Sequence, residues 1–194
     1  SALPGSDCRC IDTRAHVDAQ TPGTYARLSY TQRVLAETVL RRAPRDAVAS
    51  ALEQIVAGRS DRDIPFYPAR VVLQDLLGTP ALVDLAGLRD AIAEAGGDPS
   101  KVNPAVPTQM VVDHSLTVDV GGACADALAQ NMAHEARRNA ERFAFMAWAQ
   151  RAFDNVSVVM PGNGILHQIN LEKFSPVVHA EDGLAFADTL VGTD

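Results

Sequence analysis

Cysteine is scarce: the chain has three in 194 residues, at positions 8, 10 and 124. An odd number without regular spacing excludes a disulfide framework and reads as free thiols in a reducing compartment, which places the protein in the cytoplasm. Cys8-x-Cys10 with His16 nearby has the residue types of a metal site but not its spacing, since structural zinc takes four regularly spaced ligands. No metal is therefore assigned to this chain. No apolar run approaches the roughly 20 residues that span a bilayer, and the first 20 residues lack the continuous apolar stretch of a signal peptide. Positive charge is in the minority, with 17 Lys and Arg against 24 Asp and Glu and a net charge of −7. That leaves no basic face for nucleic acid and argues against RNA. An anionic small molecule is not excluded, because it responds to local groups such as Arg70, Arg137, Arg138 and Arg142 and to helix N-termini. A dinucleotide fingerprint is missing too: Gly162-Asn163-Gly164 is not followed by the third glycine, the helix and the acidic residue of that motif.

What is present describes a globular domain. Apolar residues make up 47% and charged residues 21% of the chain, and a chain of this length removes roughly 70% of its unfolded surface from water. Residues 1–24 are polar and irregular and read as an arm or a strand laid on something else; residues 25–194 read as one α/β domain. A helix capped by Ser29 or Thr31 carries Val34, Leu35, Val39 and Leu40 and stops at Pro44. A second runs from Arg45 to Ala57, with Gly58 just beyond it. Arg70 to Gln74 is a β-branched run suited to a buried strand that feeds a loop from Asp75 to Pro80. Leu82 to Ala95 is a helix, Gln109 to Asp113 a strand, and Ala125 to Phe153 one long helix whose apolar contacts include Leu128, Met132, Phe143, Met146 and Phe153. Core packing accounts for these residues, and for Trp148, better than cofactor stacking does. Val156 to Met160 is a third strand, and Glu181-Asp182-Gly183 marks a hairpin. Strands alternating with helices imply a mostly parallel sheet.

In such sheets chemistry gathers at the carboxyl ends of the strands. That rule selects Gln74-Asp75, Asp113-His114-Ser115 and the stretch from Gly162 to His167. Each has a plain structural reading: Gln74 caps a loop, Asp113 and His114 form a hydrogen-bonded pair, and His167 is a satisfied loop histidine. Each also has a chemical one. A carboxylate beside an imidazole favours its protonated form and so suits it to give a proton to a leaving hydroxyl. Glycines ahead of His167 let backbone approach a ligand closely. A buried amide at Gln74 orients a carboxylate or hydroxyl. His16, His134 and His179 lack such a setting and read as surface or packing residues.

Several ordered blocks then carry a specific resemblance. Ile64-Pro65-Phe66-Tyr67-Pro68-Ala69-Arg70-Val71-Val72-Leu73-Gln74-Asp75, Ala81-Leu82-Val83-Asp84-Leu85-Ala86, Val112-Asp113-His114-Ser115, Arg138-Asn139-Ala140-Glu141-Arg142-Phe143, Pro161-Gly162-Asn163-Gly164-Ile165-Leu166-His167-Gln168 and Gly192-Thr193-Asp194 resemble the N-terminal region of the aconitase family, in that family's order. The likeness runs from about Tyr25 onward. Gly121-Gly122, Asn163 and Leu171-Glu172-Lys173-Phe174-Ser175-Pro176 resemble the iron-sulfur 2-methylcitrate dehydratases of propionate catabolism within it. Gln74 departs from that branch, where histidine is expected, and resembles ordinary aconitases.

The resemblance implies a three-layer α/β/α domain, the first domain of the aconitase fold. It implies dehydration and rehydration of a tricarboxylate, either 2-methylcitrate or citrate and isocitrate, at a [4Fe-4S] cluster acting as Lewis acid in the complete enzyme. Gln74 and Ser115 resemble substrate-binding residues. Asp113 and His114 resemble the pair that protonates the departing hydroxyl, and His167 a second active-site histidine with Asp194 as its carboxylate partner. Cys8, Cys10 and Cys124 do not match the family's cluster ligands, and the family motif continues beyond Gly-Thr-Asp. The expectation is therefore a portion of a larger hydro-lyase, without cluster or turnover on its own, whose partners are the remaining domains. The alternative is a non-catalytic binding module or a complementing subunit of a split enzyme.

Overall fold

A computed structural model describes the chain except for Gln20, Ser60, residues 113–116, residues 164–173 and Asp194. It divides into two compact units, 1–69 with 175–189 and 70–174 with 190–194.

The first unit is mainly helical. Asp12 caps α1 (Thr13–Asp18) by accepting the Ala15 N–H at 3.0 Å, and α2 (Thr24–Arg27) follows. Ser29 and Gln32 form a reciprocal capping box at the start of α3 (Tyr30–Arg42), which satisfies two otherwise orphaned groups. Pro44 ends that helix and opens α4 (Arg45–Ala57), which Gly58 closes at φ 63°, a left-handed conformation that glycine adopts without a Cβ penalty. Val17, Leu28, Ala36, Val39, Ala51, Leu52 and Ile55 form its core. Gln32 Nε2 ties α3 to α4 by donating to the Ile55 carbonyl at 2.7 Å.

A small sheet completes this unit. Strand β1 (Arg9–Cys10) lies parallel to β6 (Leu184–Ala187), which pairs antiparallel with β5 (Val178–Glu181). Asp182 at φ 50° and Gly183 at φ 73° make the two-residue turn between them, with the backbone twist that tight hairpins need. His179, Asp188, Phe186 and Arg41 are packed together here. His179 Nε2 is 2.7 Å from Asp188 Oδ1, its ring stacks on Phe186, and the Arg41 guanidinium lies 4.0 Å from the Phe186 ring centre. The packing role expected for His179 accords with these contacts.

The second unit is an α/β domain. Its strands are β2 (Arg70–Gln74), β3 (Thr108–Val111), β4 (Val156–Val159) and β7 (Leu190–Gly192). They run in the order β4-β3-β2-β7, and every pairing is parallel. Helix α5 (Asp75–Glu94) links β2 to β3, and α6 (Ala127–Arg138) with α7 (Ala140–Ala152) lies between β3 and β4 in sequence. Alternate strand residues serve opposite faces. Leu73 and Met110 join Leu82, Met146, Ala149 and Phe153 from the helices, while Val72 and Val111 pack with Val159 and Phe174. Burial on both faces is why these strands read as continuous apolar runs.

Two expectations change. The stretch from Asp75 to Pro80 is not a loop but the first turns of α5. Pro80 is the sixth residue of α5, past the first turn, so it forfeits one i→i−4 hydrogen bond, to the Leu76 carbonyl, and the helix runs through it at that local cost. The single long helix is two, broken at Asn139 (φ −107°, ψ 14°), whose side-chain amide donates to the Glu135 carbonyl at 3.1 Å and to Glu135 Oε1 at 2.8 Å. An asparagine that bonds the preceding turn competes with continuation of the helix. Leu128 and Met132 are 69% and 52% exposed, so they are surface residues of α6, whereas Met146 and Phe153 are core as expected.

Candidate active site

Four parallel strands in register deliver their carboxyl ends to one edge of the sheet. Gln74 ends β2, residues 112 onward follow β3, residues 160 onward follow β4, and Thr193 follows β7. The edge named by the sequence is thus the one the topology assembles. Asp113, His114, Ser115, His167 and Asp194 lie outside the described residues, so Gln74 is the candidate residue whose surroundings the structure describes.

Gln74 is buried, at 7% exposure. Its backbone N–H donates to Thr193 Oγ1 at 3.2 Å, and the Thr193 N–H donates to the Val72 carbonyl at 3.2 Å. Its side-chain Oε1 accepts the Leu76 N–H at 2.6 Å, which makes Gln74 the N-cap of α5. Gln74 thus caps a helix and not the expected loop, and this has a chemical consequence. With the oxygen held by the helix N-terminus, the NH2 group of the amide is left as a donor. A donor beside a helix N-terminus suits a carboxylate or a hydroxyl oxygen.

The neighbouring Asp75 is fully buried. Its Oδ2 lies 3.2 Å from Nη1 of Arg142 on α7. The sequence singles out both residues, Asp75 at a strand end and Arg142 as a cation for an anion, but not their pairing, because it reads Asp75 as part of a loop. The other three arginines considered for an anion are placed as follows. Arg70 is buried near the amino end of β2, with Nη1 donating to Gln109 Oε1 at 3.1 Å. Arg138 pairs with Asp119 at 2.6 Å, and the Arg138 hydrogen bond holds the Asp119 carboxyl below its ordinary range. Arg137 is exposed on α6. At the end of β4, Asn163 Nδ2 donates to the Met160 carbonyl at 2.9 Å, and Gly162 takes φ 90°, so the turn there does require glycine.

An iron-sulfur cluster does not fit the described residues. Such clusters are held by several cysteine thiolates. Here Cys8 and Cys10 belong to the first unit and Cys124 to the second. Cys10 Sγ lies 3.3 Å from Ser1 Oγ, and Cys124 Sγ donates to Asp126 Oδ1 at 3.0 Å. Among the described residues no group of three or more His, Cys, Asp or Glu is placed to hold a metal ion. Nor is any helix among them long and apolar enough to cross a membrane.

A parallel sheet with a helix-capping amide, a buried ion pair and a glycine turn at its carboxyl edge defines the class of an α/β domain. The chain belongs to the aconitase family: residues 46–194 match the profile described as aconitase family (aconitate hydratase). It is 57% identical over 192 residues to a 2-methylcitrate dehydratase (2-methyl-trans-aconitate forming) of Shewanella oneidensis, and 57% identical over 192 residues to aconitate hydratase A of Cupriavidus necator. Both alignments cover 99% of this chain and 22% of the relative. Aconitate hydratase A of Bacillus subtilis is 49% identical over 181 residues, covering 89% of the chain and 20% of that protein. The chain thus spans about a fifth of the length of the curated relatives it matches.

Proposed function

We propose that this chain is the N-terminal portion of a hydro-lyase that removes water from, and returns it to, a tricarboxylate. The substrate is 2-methylcitrate, giving 2-methylaconitate, or citrate and isocitrate through cis-aconitate. The observation that carries this reading is the family match over residues 46–194, joined to a donor amide at Gln74 on the carboxyl edge of the sheet. Two relatives at equal identity bear the two different names. The motifs around Gly121-Gly122, Asn163 and 171–176 favour 2-methylcitrate.

In this reading the chain supplies one wall of the pocket. The Gln74 NH2 donates to a substrate carboxylate or hydroxyl, with Ser115 as a second contact. Asp113 keeps the His114 imidazole protonated, and His114 gives its proton to the departing hydroxyl, because hydroxide itself is a poor leaving group. His167, with Asp194 as its carboxylate partner, is the second histidine. The described residues of this chain do not fit the [4Fe-4S] cluster that the family implies, so no step is assigned to it here.

The remaining domains of a longer polypeptide are the proposed partners. Support comes from the relatives' length, of which this chain covers 22%. A cytoplasmic location agrees with three free thiols. The test is turnover of 2-methylcitrate and citrate by the complete polypeptide and by its His114→Ala variant. Loss of roughly 100-fold or more in kcat is expected for an acid catalyst; unchanged turnover removes His114 from the mechanism.

A further inference from the structure

We propose that Asp75 and Arg142 are positioning residues for substrate binding, acting through Gln74; this rests on the reading of Gln74 as a substrate contact. Asp75 has no exposed surface, and its Oδ2 meets Arg142 Nη1 at 3.2 Å. Burying a carboxylate and a guanidinium carries a desolvation cost that an apolar pair of similar volume avoids, so such a pair is weak evidence for stability alone. Its location gives it another use. Asp75 is the first residue of α5, directly after the N-cap Gln74, and Arg142 stands on α7.

An aspartate in a first helical turn competes for the free N–H groups of that turn. Held by Arg142, the Asp75 carboxylate is drawn toward α7, and the Leu76 N–H is left to Gln74 Oε1 at 2.6 Å. That bond decides which end of the amide faces the helix. Only the amide oxygen can accept that N–H, so while the bond is made the NH2 is kept for another acceptor. The ion pair therefore fixes Gln74 as a donor toward the sheet edge, where a substrate carboxylate is received. Thr193 Oγ1 holds the backbone of the same residue from β7, so the main chain stays in place while the ion pair governs the side chain.

A double-mutant cycle in the complete enzyme tests this. Asp75→Asn is expected to raise KM for the tricarboxylate roughly tenfold, the scale of one charge-assisted hydrogen bond, with kcat changed less than about threefold. In a Gln74→Ala background the same substitution is expected to leave KM unchanged, because the residue it acts through is gone. Arg142→Lys, which keeps the charge and loses the planar fork, serves if Asp75→Asn does not fold, and the same non-additivity with Gln74→Ala is expected of it. Additive effects on KM, or a fall in melting temperature with unaltered KM, overturn the proposal. A wild-type enzyme that turns over neither 2-methylcitrate nor citrate overturns the reading of Gln74 instead.

Discussion

Two glycines on α5 call for opposite outcomes from the same substitution. At Gly78 an added Cβ would stand 2.6 Å from Leu73 Cβ and 3.0 Å from Met110 Cε, while at Gly87 nothing lies within 4 Å. Leu73 and Met110 are strand residues at 4% and 0% exposure, so neither has free space to retreat into. Alanine is worth about 0.8–1 kcal/mol over glycine in a helix interior. Overpacking a filled core costs about 1–3 kcal/mol. Gly87→Ala therefore stabilises the second unit by about 0.5–1 kcal/mol, and Gly78→Ala, after the helix gain is subtracted from the overpacking cost, destabilises it by up to about 2 kcal/mol. Urea unfolding followed by the fluorescence of Trp148, the one tryptophan, reads this unit. With a slope of roughly 2 kcal/mol per molar, the middle of the usual range of about 1–3, the midpoint moves down by up to about 1 M for Gly78→Ala and up by a few tenths of a molar for Gly87→Ala. Equal upward shifts would mean that propensity alone acts and that α5 does not rest on β2 at Gly78. The close approach matters for the site, because the same helix is capped by Gln74.

Other expectations follow from particular contacts. Asn131 accepts from the Asp119 and Val120 N–H groups at 2.8 and 2.9 Å and donates to the Val120 carbonyl at 3.0 Å. Asn131→Ala is expected to cost about 1–3 kcal/mol and to speed hydrogen exchange at the Asp119 and Val120 amides; unchanged exchange there contradicts the assignment. In the first unit, burial pushes the Glu37 carboxyl above its ordinary 4.5, against the lowering effect of Arg41. The folded state then holds its proton longer than the unfolded state, so this group's contribution to stability falls as pH rises from 4.5 through the raised value. Glu37→Gln should remove that slope from denaturation midpoints measured across this window; an identical slope in the variant refutes it.

The sequence announced elements whose cause is local. The Ser29 capping site, the Pro44 break, the Gly58 stop and the Asp182-Gly183 turn each rest on one or two residues, and the structure has each. Strand β2 matched its expected bounds because a β-branched run buried on both faces has few alternatives. The start of α5 is hidden: Gly78 and Pro80 look like loop residues, but the glycine is there for close packing against Leu73, and the proline is an interior helix residue that gives up one backbone bond. The exposure of Leu128 and Met132 was hidden as well, since helical spacing identifies an apolar stripe without saying which neighbour covers it. In the candidate site, the strand-end rule selects Gln74, and the structure places that residue at the carboxyl end of β2. It gave no sign of the Asp75–Arg142 pair, whose members are 67 positions apart in the chain and meet through tertiary packing.

The most direct measurement is the steady-state turnover of 2-methylcitrate and of citrate by the complete polypeptide, wild type beside Gln74→Leu. The prediction is measurable dehydration of at least one tricarboxylate, with KM raised roughly tenfold or more by removal of the donor amide. A wild-type protein that dehydrates neither substrate, or a Gln74→Leu variant with unaltered KM, would contradict the account.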